Sequence, residues 1–227
     1  MSKPLRLIIF DVDGTLVDSQ TSILTAMQGA FGQINLPAPS REEVLSIVGL
    51  SLDNAMARLA PDLSEATRQT LVAAYKDTYH ARSLQTGSAK LSPLYPGARE
   101  MLDKLAAIPE YLLGVATGKS QRGLDALIAD HGLERMFITR QVADHHPSKP
   151  HPSMIETAMS EAGVDRTNTV MIGDTSFDMD MAQAAGVTGI GVSWGYHPVA
   201  ALGSAAQVID TFAELPQVLN FIWKEDA

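Results

Sequence analysis

Four consecutive apolar residues, Leu7-Ile8-Ile9-Phe10, run directly into Asp11-Val12-Asp13-Gly14, and this junction restricts the architecture more than any other stretch of the chain. An uninterrupted apolar run has the composition of a strand covered on both faces. Side chains alternate along extended backbone, so Asp11 and Asp13 point the same way while Val12 turns into packing. Gly14 then allows a sharp turn. Two carboxylates at the end of a buried strand repel one another and lose hydration, so a cation or a proton has to lie between them. A divalent metal meets that requirement.

The chain has 227 residues, enough for one large domain or a core with a smaller insertion, and its 45% hydrophobic content is that of an ordinary globular protein. A formal net charge of -9 argues against a nucleic-acid surface or an anionic membrane as partner. A small anionic substrate would need individual Lys or Arg residues. The absence of cysteine excludes disulfides, zinc-thiolate sites and cysteine nucleophiles. The opening Met1-Ser2-Lys3-Pro4 and the short apolar run after it do not have the pattern of a signal peptide, and no apolar stretch approaches the length of a membrane span. A cytoplasmic protein, monomeric or homodimeric, is the expectation.

After Ser19, a candidate cap, Ile23, Met27, Ala30, Phe31 and Ile34 recur at helical spacing. Ser40 and Glu43 form a capping box for a helix carrying Val44, Leu45, Ile47 and Val48, which Gly49 ends. Further helices follow from Ser51 and Ser64. With no convincing strand between Ser19 and about Arg82, residues 19–87 are predicted to form an all-helical insertion. Gly87 to Pro93 is predicted as a return linker, and residues 1–18 and 88–227 as the core. From Pro96-Gly97 onward the pattern alternates. Strands are predicted at Tyr111 to Ala116, Phe137 to Thr139, Thr169 to Ile172, Gly189 to Val192 and, at an edge, Gln207 to Ile209; the helices between them stop at Gly132 and Gly163. Thr211 with Glu214 caps a final helix. Such alternation predicts an α/β fold, a Rossmann-like parallel sheet with helices on both faces. Ligands in these sheets sit beyond the carboxyl ends of the strands.

The residues at those ends converge on one rim. Asp11 and Asp13 offer a nucleophile and a general acid or base, although Asp-x-Asp-Gly alone is equally a turn after a strand. Asp174 and Asp178 lie four apart at a predicted helix start, roughly 40° around its axis, so both can face one site, with Asp180 on another face. Acidic residues there also complement the helix dipole. Thr117 and Gly118 supply a hydroxyl and an unobstructed N–H suited to a phosphoryl oxygen, unless Thr117 merely caps the next helix, a task Ser120 can take. Lys149, between Ser148 and Pro150, sits on a stiffened loop and is either a solvated lysine or a partner for a crowded phosphoryl group. His145, His146 and His151 lack zinc-ligand spacing and are expected to form a polar loop. Taken jointly, two carboxylates at one strand end, a hydroxyl at a second, a lysine on a rigid loop and a carboxylate at a third fit a magnesium-dependent phosphoryl-transfer site.

The order Asp11-Val12-Asp13-Gly14-Thr15, Thr117-Gly118, Lys149-Pro150, Gly173-Asp174-Thr175-Ser176-Phe177-Asp178 resembles the haloacid dehalogenase superfamily over nearly the whole chain. Ala182-Gln183-Ala184-Ala185-Gly186 and Val192-Ser193-Trp194-Gly195 look most like its phosphoglycolate phosphatases. The resemblance implies a Rossmann-like core with the helical insertion as cap, and hydrolysis of a small phosphorylated metabolite through an aspartyl-phosphate on Asp11. Asp13 would serve as acid and base; Mg2+ would be held by Asp11, the Asp13 carbonyl and Asp174, with Asp178 beside it or as an alternate ligand. Thr117, Gly118, Lys149 and the backbone of Asp13-Gly14 would bind the phosphoryl oxygens. Gly49-Leu50-Ser51 would touch the leaving group. A sugar phosphomutase or pyrophosphatase of the same superfamily would share the core chemistry, although Leu52 stands where phosphomutases tend to carry a basic residue. A metal-independent dehalogenase is disfavoured by Asp13, and a phospho-accepting signalling module by the chain's length and its cap.

Overall fold

The computed structural model describes residues 3–223. Its centre is β1 (Arg6–Phe10), every residue of which is buried. Four helices follow, α1 (Gln20–Gln33), α2 (Arg41–Leu45), α3 (Leu52–Leu59) and α4 (Glu65–Thr86), then a single helical turn, α5 (Ser88–Leu91). The predicted return linker is therefore partly helical. Strands and helices then alternate: α6 (Ala98–Ala106), β2 (Tyr111–Thr117), α7 (Gln121–His131), β3 (Thr139–Val142), α8 (Ser153–Ala162), β4 (Thr169–Gly173), α9 (Ser176–Ala185), β5 (Thr188–Val192), β6 (Gln207–Ile209) and α10 (Leu215–Trp223).

All six strands are parallel, in the order β3-β2-β1-β4-β5-β6. The chain winds outward from β1 in one direction through β2 and β3, then returns to the other side of β1 with β4. That reversal opens a crevice beyond the carboxyl ends of β1 and β4, where ligands bind in sheets of this kind. The period of two within β1 sorts its side chains between two cores. Ile8, Phe10 and Val12 join the cluster with Leu102, Leu127 and Leu219 on one face, whereas Leu7 and Ile9 join Met154, Ile155 and Met181 on the other. Asp11 and Asp13 keep the parity of Leu7 and Ile9, and Val12 is 1% exposed.

Helices α1 to α4 enclose an apolar cluster of their own, built around Met27, Phe31, Met56 and Leu71, into which α9 inserts Phe177. The guanidinium of Arg58 lies 4.9 Å from the centre of that ring.

Several local expectations change. Ser19 does not cap α1; its hydroxyl turns to Asp13 instead. The Ser40–Glu43 capping box is present, but α2 stops at Leu45, and turns carry the chain to Gly49. The strand expected at Phe137 to Thr139 begins only at Thr139, because Ile138 is 53% exposed and the buried register falls on Thr139, Gln141 and Val142. Asp174 lies outside α9, directly after β4, with Thr175 as the cap. The box formed by Thr211 and Glu214 caps a short 3-10 turn that leads into α10.

Leu102 is 1% exposed against the sheet, far from the crevice. Replacing it with alanine should lower unfolding free energy by about 2–5 kcal/mol in a urea titration, without changing activity per folded molecule.

Candidate active site

Asp11 leaves β1 with its N–H donated to Ile172 O at 2.9 Å, which ties it to β4. Asp174 follows β4 by one residue, so adjacent strands deliver the two carboxylates side by side. Asp178 arrives from the first turn of α9. One oxygen from each of Asp11, Asp174 and Asp178 lies within 4.8 Å of the others, and all three residues are buried. Lys149 donates to Asp11 Oδ1 at 2.7 Å and to Asp178 Oδ1 at 2.6 Å, its side chain fully buried.

The remaining oxygens are unequal. Asp178 Oδ2 accepts from the Thr175 N–H at 3.1 Å and its hydroxyl at 2.6 Å, so Asp178 also completes the α9 capping box. Asp174 Oδ1 accepts from Thr15 Oγ1 at 2.9 Å, and its Oδ2 from the Tyr196 N–H at 2.8 Å. Asp11 Oδ2 is buried and has no hydrogen-bond partner among the described residues. A buried carboxylate oxygen left alone is costly, and three carboxylates against one ammonium leave negative charge to be neutralised. An all-oxygen set of this kind suits a hard divalent cation.

Backbone without side chains makes room for the cluster. A Cβ on Gly14, whose φ is +88°, would fall 2.2 Å from Asp174 Oδ2, and one on Gly195 would fall 2.0 Å from Asp174 Cβ. Gly14 N–H donates to Val17 O at 2.9 Å, closing the turn on itself rather than facing the crevice.

Asp13 has a partner that the sequence reading did not assign. Lys119 Nζ donates to both Asp13 oxygens at 2.8 Å, and the Ser19 hydroxyl donates to Oδ1. Lys119 also sits 5.2 Å from the centre of the Tyr79 ring. Thr117, buried at the end of β2, accepts the Lys119 N–H at 3.2 Å, and Ser120 caps α7 by accepting from the Gly123 N–H. Gly118 is pressed beneath the loop between α2 and α3: a Cβ there would lie 2.5 Å from Leu50 O and 2.6 Å from Gly49 O. Ser51 N–H donates to Ser148 Oγ at 2.9 Å on the same loop. Thus Asp11, Asp13, Thr117, Gly118 and the Gly49–Ser51 loop border one cavity of about 410 Å³, with Lys149 behind Asp11. The imidazole of His146 bonds Gln141 and Ser153, and Asp180 is exposed away from the cavity.

Residues after β5 also reach the site. Trp194 Nε1 donates to Thr15 O at 3.1 Å, the Tyr196 hydroxyl accepts the Ser19 N–H at 2.9 Å, and His197 Nδ1 accepts the Ser176 N–H at 3.2 Å.

The electrostatics follow from this crowding. Burial pushes the Asp11 carboxyl up to about 7, reinforced by the charges of Asp178 and Asp13 and opposed by Lys149. Burial, with Asp11 and Asp178, likewise drives Asp174 well above the usual carboxylate range. Burial works against both lysine ammoniums, but Asp11 and Asp178 outweigh it for Lys149, and Asp13 for Lys119, so both sit above the ordinary lysine value.

A sequence profile of the haloacid dehalogenase-like hydrolases matches residues 8–192. The chain belongs to that family. Its relatives include the "Probable phosphatase IndB" of Dickeya dadantii, 36% identical over 94% of this chain and 92% of the relative. The phosphoglycolate phosphatase of Vibrio parahaemolyticus is 30% identical over 95% of this chain and 96% of its own. A crystal structure of a predicted phosphoglycolate phosphatase from Haemophilus somnus 129PT superposes with a TM-score of 0.83 at 25% identity, covering 96% of this chain and 99% of that one. As a member of the family this protein is a hydrolase, and its Rossmann-like α/β fold is the family's.

Because Asp11 rises from 3.8 to about 7, the folded chain holds a proton that the unfolded chain has already lost between those values. With chelator present, this group's contribution to stability is therefore largest below the unfolded value and is lost as pH rises toward 7. Urea midpoints of the protein and of Asp11→Asn, compared at about pH 5 and about pH 7.5, should shift in the variant's favour as pH rises. A constant difference would show that Asp11 titrates normally.

Proposed function

We propose that the protein is a phosphatase that hydrolyses a small phosphate monoester, phosphoglycolate-like, through an aspartyl-phosphate on Asp11. The observation that carries this reading is Asp11 Oδ2, a buried carboxylate oxygen without a hydrogen-bond partner among the described residues, on a residue that lines the cavity at the end of the central strand. Lys149 holds the other oxygen at 2.7 Å, so the pair fixes which oxygen is left to attack phosphorus.

Asp13 protonates the leaving oxygen and then takes a proton from the water that cleaves the acyl phosphate. To do so it must turn from Lys119. The Thr117 hydroxyl, the Gly118 N–H and the backbone N–H at Asp13 donate to the transferring group's oxygens, so positioning and charge neutralisation supply most of the rate. Asp11, Asp174 and the Asp13 carbonyl would hold Mg2+, with Asp178 fixed beside them by Lys149 and Thr175. When bound, the ion neutralises charge on the carboxylates and the phosphoryl oxygens. Thr15 and the Tyr196 N–H orient Asp174 for that role.

Residues 19–87 act as a cap over this site, with hinges near Leu16 to Ser19 and Gly87 to Ser92. The contact of Leu50 O and Gly49 O with Gly118 is the seam along which it closes, excluding water while Asp13 works. Phosphate release without a bisphosphate activator separates this reading from a phosphomutase.

Phosphate release from a panel of esters with magnesium should be lost with chelator, and Asp11→Asn should lower it by at least about 10⁴-fold while leaving circular dichroism unchanged. Full activity in that variant would remove Asp11 from the nucleophile's role. Magnesium should also raise the melting temperature, and by more at about pH 8 than at about pH 5, because protons compete for the same oxygens.

A further inference from the structure

Lys119 is a buried cation that the proposed chemistry does not use. Its ammonium bonds both oxygens of Asp13 at 2.8 Å, and the Ser19 hydroxyl adds a further bond to Oδ1. The side chains of the pair are 9% and 12% exposed. A further neighbour is the Tyr79 hydroxyl on α4, at 3.4 Å.

Asp13 cannot reach a leaving oxygen while both of its own oxygens face Nζ. Releasing it leaves an ammonium in a site nearly closed to solvent, and an unpaired buried charge costs several kcal/mol. The exchange is favourable only if another anion takes Asp13's place. The same cavity is lined by Tyr75 and by the apolar side chains of Ile23 and Met27. Lys76 and Arg122 also line it but are exposed, and Arg122 is paired with His80.

Resting on the phosphatase reading above, we infer that Lys119 selects the leaving group: its ammonium receives an anionic substituent on the leaving alcohol, close to the scissile oxygen, and Asp13 is freed as that substituent arrives. The ammonium bonds Asp13 at rest and the scissile oxygen meets it once Asp13 turns, so the two lie within the reach of one carboxylate, roughly 5–8 Å of each other. A carboxylate on the carbon that bears the ester oxygen spans that gap. An alkyl group of the same size leaves the ammonium unpaired, and a substituent ammonium repels it. Lys119 is thus a specificity-determining residue that couples recognition of the leaving group to release of the acid.

Three phosphate esters of two-carbon alcohols test this with magnesium present: 2-phosphoglycolate, ethyl phosphate and phosphoethanolamine, which carry a carboxylate, no charge and an ammonium. The protein should prefer them in that order by kcat/KM. Lys119→Gln keeps donors toward Asp13 but removes the charge, and should reduce the ratio of phosphoglycolate to ethyl phosphate by about 30-fold or more. Lys119→Arg should restore part of it. The ratio cancels any loss that acts through Asp13 on both esters alike, and Lys119→Met gives the same reading if the Gln variant misfolds. A ratio unchanged within about threefold in the variants, or no preference for phosphoglycolate in the parent protein, would overturn the inference while leaving the phosphatase reading intact. Absence of phosphate release from all three esters and from p-nitrophenyl phosphate would overturn the phosphatase reading, and this inference with it.

Discussion

The molecule is organised around a repulsion. Asp11, Asp174 and Asp178 are buried within 4.8 Å of one another, and among the described residues Lys149 is the single ammonium that bonds into the group. Carboxylates do not assemble in an apolar interior unless the fold forces them together, and removing a partner from such a buried pair costs about 3–5 kcal/mol. The force here is the sheet. β1 and β4 are fully buried neighbours, and their ends cannot separate without breaking both apolar cores. Stability stored in the interdigitated faces is thereby spent on holding charges where they are reactive.

The lysines divide that charge. Lys149 bonds Asp11 Oδ1 and leaves the buried Oδ2 without a partner among the described residues, whereas Lys119, which lines the cavity, bonds both oxygens of Asp13. The first arrangement prepares one atom to react; the second withholds a group until something replaces the cation. Under the proposed mechanism the two carboxylates, two residues apart on one strand end, differ in function because their ammonium partners approach from opposite sides.

The segment Trp194 to His197 links the parts. It reaches the first turn through Thr15 O, the carboxylate cluster through Asp174, the start of the helical segment through Ser19 and the turn after α2 through the bond between His197 Nε2 and Ser46 O at 3.2 Å. Tyr196 thus bonds both Ser19, at the start of the helical segment, and Asp174. Gly195, where a Cβ would strike Asp174, lets this segment come that close.

What was legible in the sequence was whatever depends on periodicity and strand ends. The run Leu7 to Phe10, the parity that sends Asp11 and Asp13 one way and Val12 the other, the parallel alternation and the placement of Asp174 beyond β4 all follow from local spacing. So does the capping role of Ser120. Local signals failed where a tertiary partner was stronger: Ser19 has the right residue type for a cap, yet its hydroxyl bonds Asp13, and the third strand begins two residues later than its apolar residues suggest because its register with β2 starts at Thr139. Lys119 stood at a strand end in plain view, but nothing local marks a lysine that will meet an aspartate 106 positions earlier. The sequence by itself determined which groups reach the rim, because side-chain direction along a strand is a property of the backbone. Only the tertiary structure decided which carboxylate each ammonium meets, because such a pairing is set by how distant segments pack and leaves no periodicity to find.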